Sequence, residues 1–215
     1  KWTSYLKAHN IKVVHVISNV KFAKKAVDAG VDAIVAEGFE AGGHNGREET
    51  TTMCLIPLIR KAVSIPLIAA GGIGSGASML AAMALGADGV QIGSRFIASP
   101  ESSAHQNFKD YILHAKEGDT QLMLKEITPV RLLKNEFYNQ IVSAYDKGAT
   151  KEDLRALLGR GRAKKGMFLG DLEDGELEVG QISANVDAIK PAGEIVQEII
   201  EEFQIIKNKV SKMML

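Results

Sequence analysis

One titratable imidazole, His44, lies in the glycine-rich segment Glu37-Gly-Phe-Glu-Ala-Gly-Gly-His44-Asn-Gly46, directly after the apolar run Asp32-Ala-Ile-Val-Ala36. Glycines 42, 43 and 46 let a backbone turn sharply and approach a flat ligand, and an imidazole can exchange a proton near neutral pH. Two further glycine pairings follow apolar runs, in Ala69-Ala-Gly-Gly-Ile73 and Val90-Gln-Ile-Gly-Ser-Arg95. At Gly71, Gly72 and Gly93 no side chain would keep backbone N–H groups from an anion, and Ser94 adds a hydroxyl donor. The pattern describes one site with a phosphate grip and a proton-transfer group. The bland alternative is that these glycines only make tight turns.

The elements that must carry these loops are legible as alternating short apolar runs and longer helical patterns. Strands are expected at Lys12-Val-Val-His-Val-Ile17, Asp32-Ala-Ile-Val-Ala36, Pro66-Leu-Ile-Ala-Ala70 and Gly89-Val-Gln-Ile92. Their near-continuous apolar character is that of parallel strands covered on both faces. Helices are expected at about 20–29, 55–63, 76–85 and 102–115, with Gly30 and Gly86 as left-handed C-terminal residues. The phrases Ala29-Gly-Val-Asp-Ala33 and Leu85-Gly-Ala-Asp-Gly89 read as one turn used twice. The fold class this predicts is α/β, the C-terminal half of a (β/α)8 TIM-type barrel followed by a small helical region. Four more β/α units, roughly a hundred residues, are then expected upstream of Lys1, because a usual barrel needs about 250. An open four-stranded α/β sheet is the alternative.

Residues 1–118 form the expected barrel part, 119–206 a helical extension packed on it, and 207–215 a frayed tail. Within the extension, Pro129 to Asn135 leads into a helix over 136–147, and Thr150 caps a second one over 151–158. Residues 194–203 have the spacing of a terminal helix. The basic run Arg160-Gly-Arg-Ala-Lys-Lys165 reads as a solvated loop face, with phosphate binding as an option.

Composition narrows the function classes. With 215 residues, 46% hydrophobic and 24% charged, the chain is an ordinary globular sequence. Lys plus Arg and Asp plus Glu are equal at 26 each, so no overall charge draws it to nucleic acid or an anionic membrane. A single cysteine, Cys54, excludes an internal disulfide, and no apolar run approaches the ~20 residues of a membrane span. A cytoplasmic enzyme fits. Cys54 is expected to be a buried or half-buried thiol and His15 a core or pocket-floor residue. His105 and His114 are expected at the surface, with no metal site.

The stretches Ala36-Glu-Gly-Phe-Glu-Ala-Gly-Gly-His44, Ile68-Ala-Ala-Gly-Gly-Ile73 and Gln91-Ile-Gly-Ser-Arg-Phe96 resemble the flavin-dependent family that contains nitronate monooxygenase (formerly 2-nitropropane dioxygenase) and enoyl-acyl carrier protein reductase II. The likeness runs from about Lys12 to Asn135 and more loosely from Gly180-Gln-Ile to Glu202. It implies non-covalent FMN, with Glu37, Gly42 and Gly43 beside the flavin. Gly71, Gly72 and the run Gln91, Ile92, Gly93, Ser94 would hold its phosphate, and His44 would be catalytic. Ser94 stands where family members usually carry Thr, which keeps the hydroxyl. The implied activity is oxidation of nitronates or nitroalkanes with dioxygen to carbonyl compounds and nitrite. The alternative is NAD(P)H-dependent reduction of an enoyl thioester, with an acyl carrier protein as partner. A non-flavin phosphate-binding barrel or a non-catalytic module stands behind both. Uncovered barrel surface makes a homodimer the expected assembly.

Overall fold

In the computed structural model, which describes residues 2–213, the elements run in this order: α1 (Thr3–Ala8), β1 (Val14–Ile17), α2 (Val20–Asp28), β2 (Ala33–Glu37), β3 (Gly43–His44), α3 (Thr52–Ala62), β4 (Leu67–Ala70), α4 (Gly76–Ala84) and β5 (Gly89–Gln91). Then come α5 (Ser94–Ile97), α6 (Gln106–Leu113), β6 (Thr120–Met123), β7 (Val130–Leu133), α7 (Glu136–Asp146), α8 (Lys151–Leu158) and α9 (Ala192–Val210). A π-helical turn covers Lys164–Phe168 and a 3-10 turn Gln181–Asn185. The chain divides into two units, one of residues 1–40, 48–92 and 196–215, the other of residues 41–47 and 93–195.

The first unit holds a four-stranded parallel sheet in the order β1-β2-β4-β5. Strand order follows chain order without reversal, as in a barrel and unlike a doubly wound sheet. β2 and β4 are buried because each is flanked on both sides, whereas β1 leaves Val14 and Val16 about half exposed at 49% and 47%. The core joins Ile34, Ile56, Ile59, Leu67 and Ala69 beneath α2, α3 and α4. The repeated Gly-x-Asp turn repeats a hydrogen bond as well: Asp32 accepts from the Val13 amide (2.9 Å) and Asp88 from that of Leu67 (2.8 Å), each fixing the start of a neighbouring strand. Gly30 and Gly86 have φ of +80° and +110°, the left-handed termini expected of them. Glu202 on α9 accepts from the Gly76 amide at 2.7 Å, anchoring the terminal helix at the first turn of α4.

The second unit departs from the sequence expectation. Residues after Gly118 were expected to be helical, but Thr120–Met123 and Val130–Leu133 are strands of an antiparallel sheet ordered β3-β7-β6. The reason is Arg131. In the run Val-Arg-Leu-Leu it breaks the apolar continuity of a strand, yet all four residues are buried, with Arg131 only 2% exposed. The units also do not divide at Gly118, since the His44 segment belongs with residues 93–195. Two cores fill this unit, one around Phe108, Ile112 and Val179, the other around Leu132, Phe137 and Leu154. Thr150 does cap α8, in a reciprocal pair with Asp153. The helix expected over 102–115 begins at Gln106, because His105 Nδ1 accepts from the Asn107 amide and caps it. The tail expected to fray after Ile206 is helical to Val210; Met214 and Leu215 lie outside the described residues.

Candidate active site

In the first unit, the ends of β2, β4 and β5 carry Glu37, Gly71 and Gly72, and Gln91 and Ile92. The register that pairs Glu37 with Ala70 and Ala70 with Gln91 brings them to one edge of the sheet. Burial pushes the Glu37 carboxyl up from the usual carboxylate range. Gly71 and Gly72 are left-handed, with φ of +89° and +70°. A side chain at Gly71 would also stand 2.7 Å from the Gly38 carbonyl oxygen, so the residue type follows from conformation and space together. Among the described residues, no hydrogen bond within the chain occupies the amides of Gly71, Gly72 or Ile73. Consecutive free amides after a strand form a concave anion-binding surface.

This turn is held by two residues that the sequence did not single out. Glu40 accepts from the Thr52 amide (2.9 Å) and lies 3.0 Å from the Thr52 hydroxyl, which also lies 2.8 Å from the Gly71 carbonyl oxygen. Glu40 thereby places negative charge at the N-terminus of α3, where the helix dipole favours it. Glu40 and Thr52 are 12 residues apart, a separation that local capping rules do not span.

In the second unit, Gly43 and His44 form β3, in register with Arg131 and Val130. His44 is exposed, and its loop is tied down by the Asn45 side chain, which donates to the carbonyls of Ala41 (2.9 Å) and Gly43 (3.2 Å). Arg47 donates to the carbonyls of Lys125 and Ile127, both at 2.8 Å. The loop is therefore a rigid presentation of one imidazole.

The glycines beside it have a packing role of their own. A Cβ at Gly42 would collide with the Val179 carbonyl carbon and stand 2.5 Å from the Gly180 nitrogen, and one at Gly43 would stand 2.6 Å from Glu178 Oε2. Ser94 Oγ accepts from the Gly180 amide at 2.8 Å, so its hydroxyl fixes this same segment. Gly93 is different: a Cβ there would meet nothing within 4 Å. Buried Ser183 Oγ, one turn beyond Gly180, has no hydrogen-bond partner among the described residues.

Glu176 and Glu178 alternate along the segment with buried Leu177 and Val179. Glu176 is 7% exposed, and burial together with the charge of Glu178 pushes its carboxyl up to about 7 against the opposing pull of Arg162. Burial also raises Glu178, while His44 lowers it. The sequence hid both, because alternation of charged and apolar residues reads as a strand with its charges in water.

The other candidates separate cleanly. In the basic run, Arg162 donates to the carbonyls of Leu157, Leu158 and Asp174, and Lys165 pairs with Asp171 and Asp174 at 3.0 and 3.2 Å. His15, expected in the core, is exposed because β1 is an edge strand, and Cys54, expected to be buried or half-buried, is exposed on the outer face of α3. Among the described residues, no group of three or more His, Cys, Asp or Glu could hold a metal ion, and no helix is long and apolar enough to cross a membrane.

Comparison with known proteins agrees with this arrangement. The family model described as nitronate monooxygenase matches residues 3–202. A probable nitronate monooxygenase of Staphylococcus aureus (strain Newman) is 36% identical over 96% of the chain, which spans 60% of that relative's length. FabK from Thermotoga maritima superposes with a TM-score of 0.88 at 37% identity, over 98% of this chain and 67% of that one. The nitroalkane oxidase of Streptomyces ansochromogenes does so with 0.78 at 28% identity, over 96% and 61%. The chain belongs to the nitronate monooxygenase family.

Proposed function

We propose that this chain supplies the phosphate-gripping and proton-handling parts of an FMN-dependent oxidoreductase, which oxidises nitronates and nitroalkanes with dioxygen to carbonyl compounds and nitrite. The observation that carries the reading is His44, an exposed imidazole on a braced Gly-Gly-His strand. The four parallel strands in chain order, with both edges unpaired among the described residues, are read as half of a (β/α)8 barrel. The greater length of the relatives is consistent with a partner half.

In the first unit, the unoccupied amides of Gly71, Gly72 and Ile73 support a flavin phosphate, with Glu37, Gln91 and Ile92 at the same end of the sheet. In the second unit, Ser94, Gly42 and Gly43 hold the segment 178–180. When bound, FMN would supply two-electron redox chemistry and the reaction with dioxygen.

The protein's part is proton transfer and orientation. His44 takes the α-carbon proton of a neutral nitroalkane, leaving the electron pair delocalised on the nitro group, and the imidazolium then holds the nitronate anion. A pre-formed nitronate needs only the second of these roles.

The likeness to FabK favours a second reading, in which NAD(P)H is the electron source, an enoyl thioester the acceptor, and His44 the donor to the α-carbon. An acyl carrier protein would then need a basic landing surface. Among the described residues, Arg160 and Lys164 are the exposed cations of the 160–165 run with no internal hydrogen bond or ion pair, whereas Arg162 and Lys165 are committed. The deciding experiment is a paired assay on the complete protein, following nitrite release from a nitronate and NAD(P)H oxidation with an enoyl thioester. Nitrite release is the expected dominant activity; dominant thioester reduction transfers the assignment to the second reading.

A further inference from the structure

The segment that braces the His44 loop also carries a carboxylate with no assigned task. Along one flank of β7, His44 lies opposite Val130, Gly43 opposite Arg131, and Glu178 opposite Leu132. His44 and Glu178 are thus two register positions apart on the same flank, about 7 Å along the strand direction. Gly43 between them contributes no side chain, and a Cβ there would stand 2.6 Å from Glu178 Oε2, so any other residue would displace the carboxylate. Gly42 seats the following Val179–Gly180 peptide, and Ser94 bonds the Gly180 amide, which fixes the backbone from the other end. No hydrogen bond within the chain occupies the Glu178 carboxylate among the described residues. A half-buried carboxylate on a braced segment, without a hydrogen-bond partner among the described residues, has its field to offer.

Resting on the reading of His44 as the proton acceptor, we infer that Glu178 is its positioning residue: the field of its carboxylate, held two register positions away, stabilises the imidazolium formed when a carbon acid loses its proton. The charged groups coupled to Glu178 are His44 on β3 and Glu176 on its own segment, with Arg162 acting on Glu176. The field of His44 already lowers Glu178, and like charge from Glu178 raises Glu176, so the three groups form one electrostatic unit. The opposite charge that stabilises a histidinium is the familiar role of a carboxylate behind a catalytic imidazole.

The test compares wild type, Glu178→Gln and Glu178→Asp in the complete FMN-loaded protein, each with a neutral nitroalkane and with its pre-formed nitronate. Glu178→Gln is expected to lower kcat on the nitroalkane by roughly tenfold or more with KM little changed, to raise KM for the nitronate while leaving its kcat unchanged, because less imidazolium is present to hold the anion, and to be partly rescued in Glu178→Asp. Equal rates for wild type and Glu178→Gln on the nitroalkane overturn the inference, as does an equal loss of kcat on both substrates. A second measurement does not depend on the substrate: the Glu178 carboxyl, titrated by carbon NMR, should rise in His44→Ala. An unmoved titration also overturns the inference. If His44→Ala leaves both substrate activities intact while the Glu178 titration moves, the pairing stands and the assignment of His44 as proton acceptor fails.

Discussion

Glu176 makes the stability of this protein fall with pH in a way that one substitution removes. Its carboxyl, 7% exposed, is pushed from an ordinary 4.5 to about 7, first by burial and then by the charge of Glu178. A folded-state value above the unfolded one means that the native protein holds the proton more tightly. The stabilisation is therefore complete below about 4.5 and is lost as pH rises through about 7. A rise of that size corresponds to about 3 kcal/mol, which is the cost of ionising Glu176 in place. Glu176→Gln keeps the shape and abolishes the ionisation. Denaturant unfolding at pH 5 and pH 8.5 should show wild type losing about 2–3 kcal/mol more than the variant across that interval. In thermal scans the variant should gain roughly 5–10 °C at the higher pH, from about 2–4 °C per kcal/mol at this chain length. Parallel pH profiles for the two proteins would refute the reasoning, because they would mean that Glu176 ionises as freely in the folded chain as in water.

Glycine substitutions should split by what surrounds them. Gly42→Ala, whose new methyl would meet the Val179–Gly180 peptide, should destabilise the protein by about 1–3 kcal/mol in denaturant melts. Gly93→Ala, in open space, should leave melts unchanged and weaken FMN binding in a fluorescence titration. Thr52→Val removes the hydroxyl between Glu40 and the Gly71 carbonyl and should cost about 1–2 kcal/mol of stability together with FMN affinity. His44→Ala should retain FMN and lose nitroalkane turnover by ~10²-fold or more; unchanged turnover removes His44 from the chemistry.

How much of this was readable from sequence depends on which interactions are local. β2 and β4 are continuous apolar runs because neighbouring strands flank each of them and α2, α3 and α4 pack against them, and their ends at Glu37 and Gly71 could be placed within a residue or two. The caps at Thr150 and the left-handed Gly30 and Gly86 are set by neighbours in the chain and were equally legible. β7 was not, because Arg131 is buried through long-range contacts and a four-residue window reads it as a surface residue. The site divides in the same way. His44 and the free amides after β4 announce themselves as glycine spellings. Glu40, Thr52, Ser183 and Glu178 matter only because segments far away in sequence come to rest against them.

The proposed function requires a flavin phosphate gripped by the turn after β4. The most direct measurement is the absorption spectrum of the complete purified protein, followed by identification of what denaturation releases. Flavin bands, and FMN set free in stoichiometric amount, are the predicted result. A colourless protein that takes up no added FMN would contradict it.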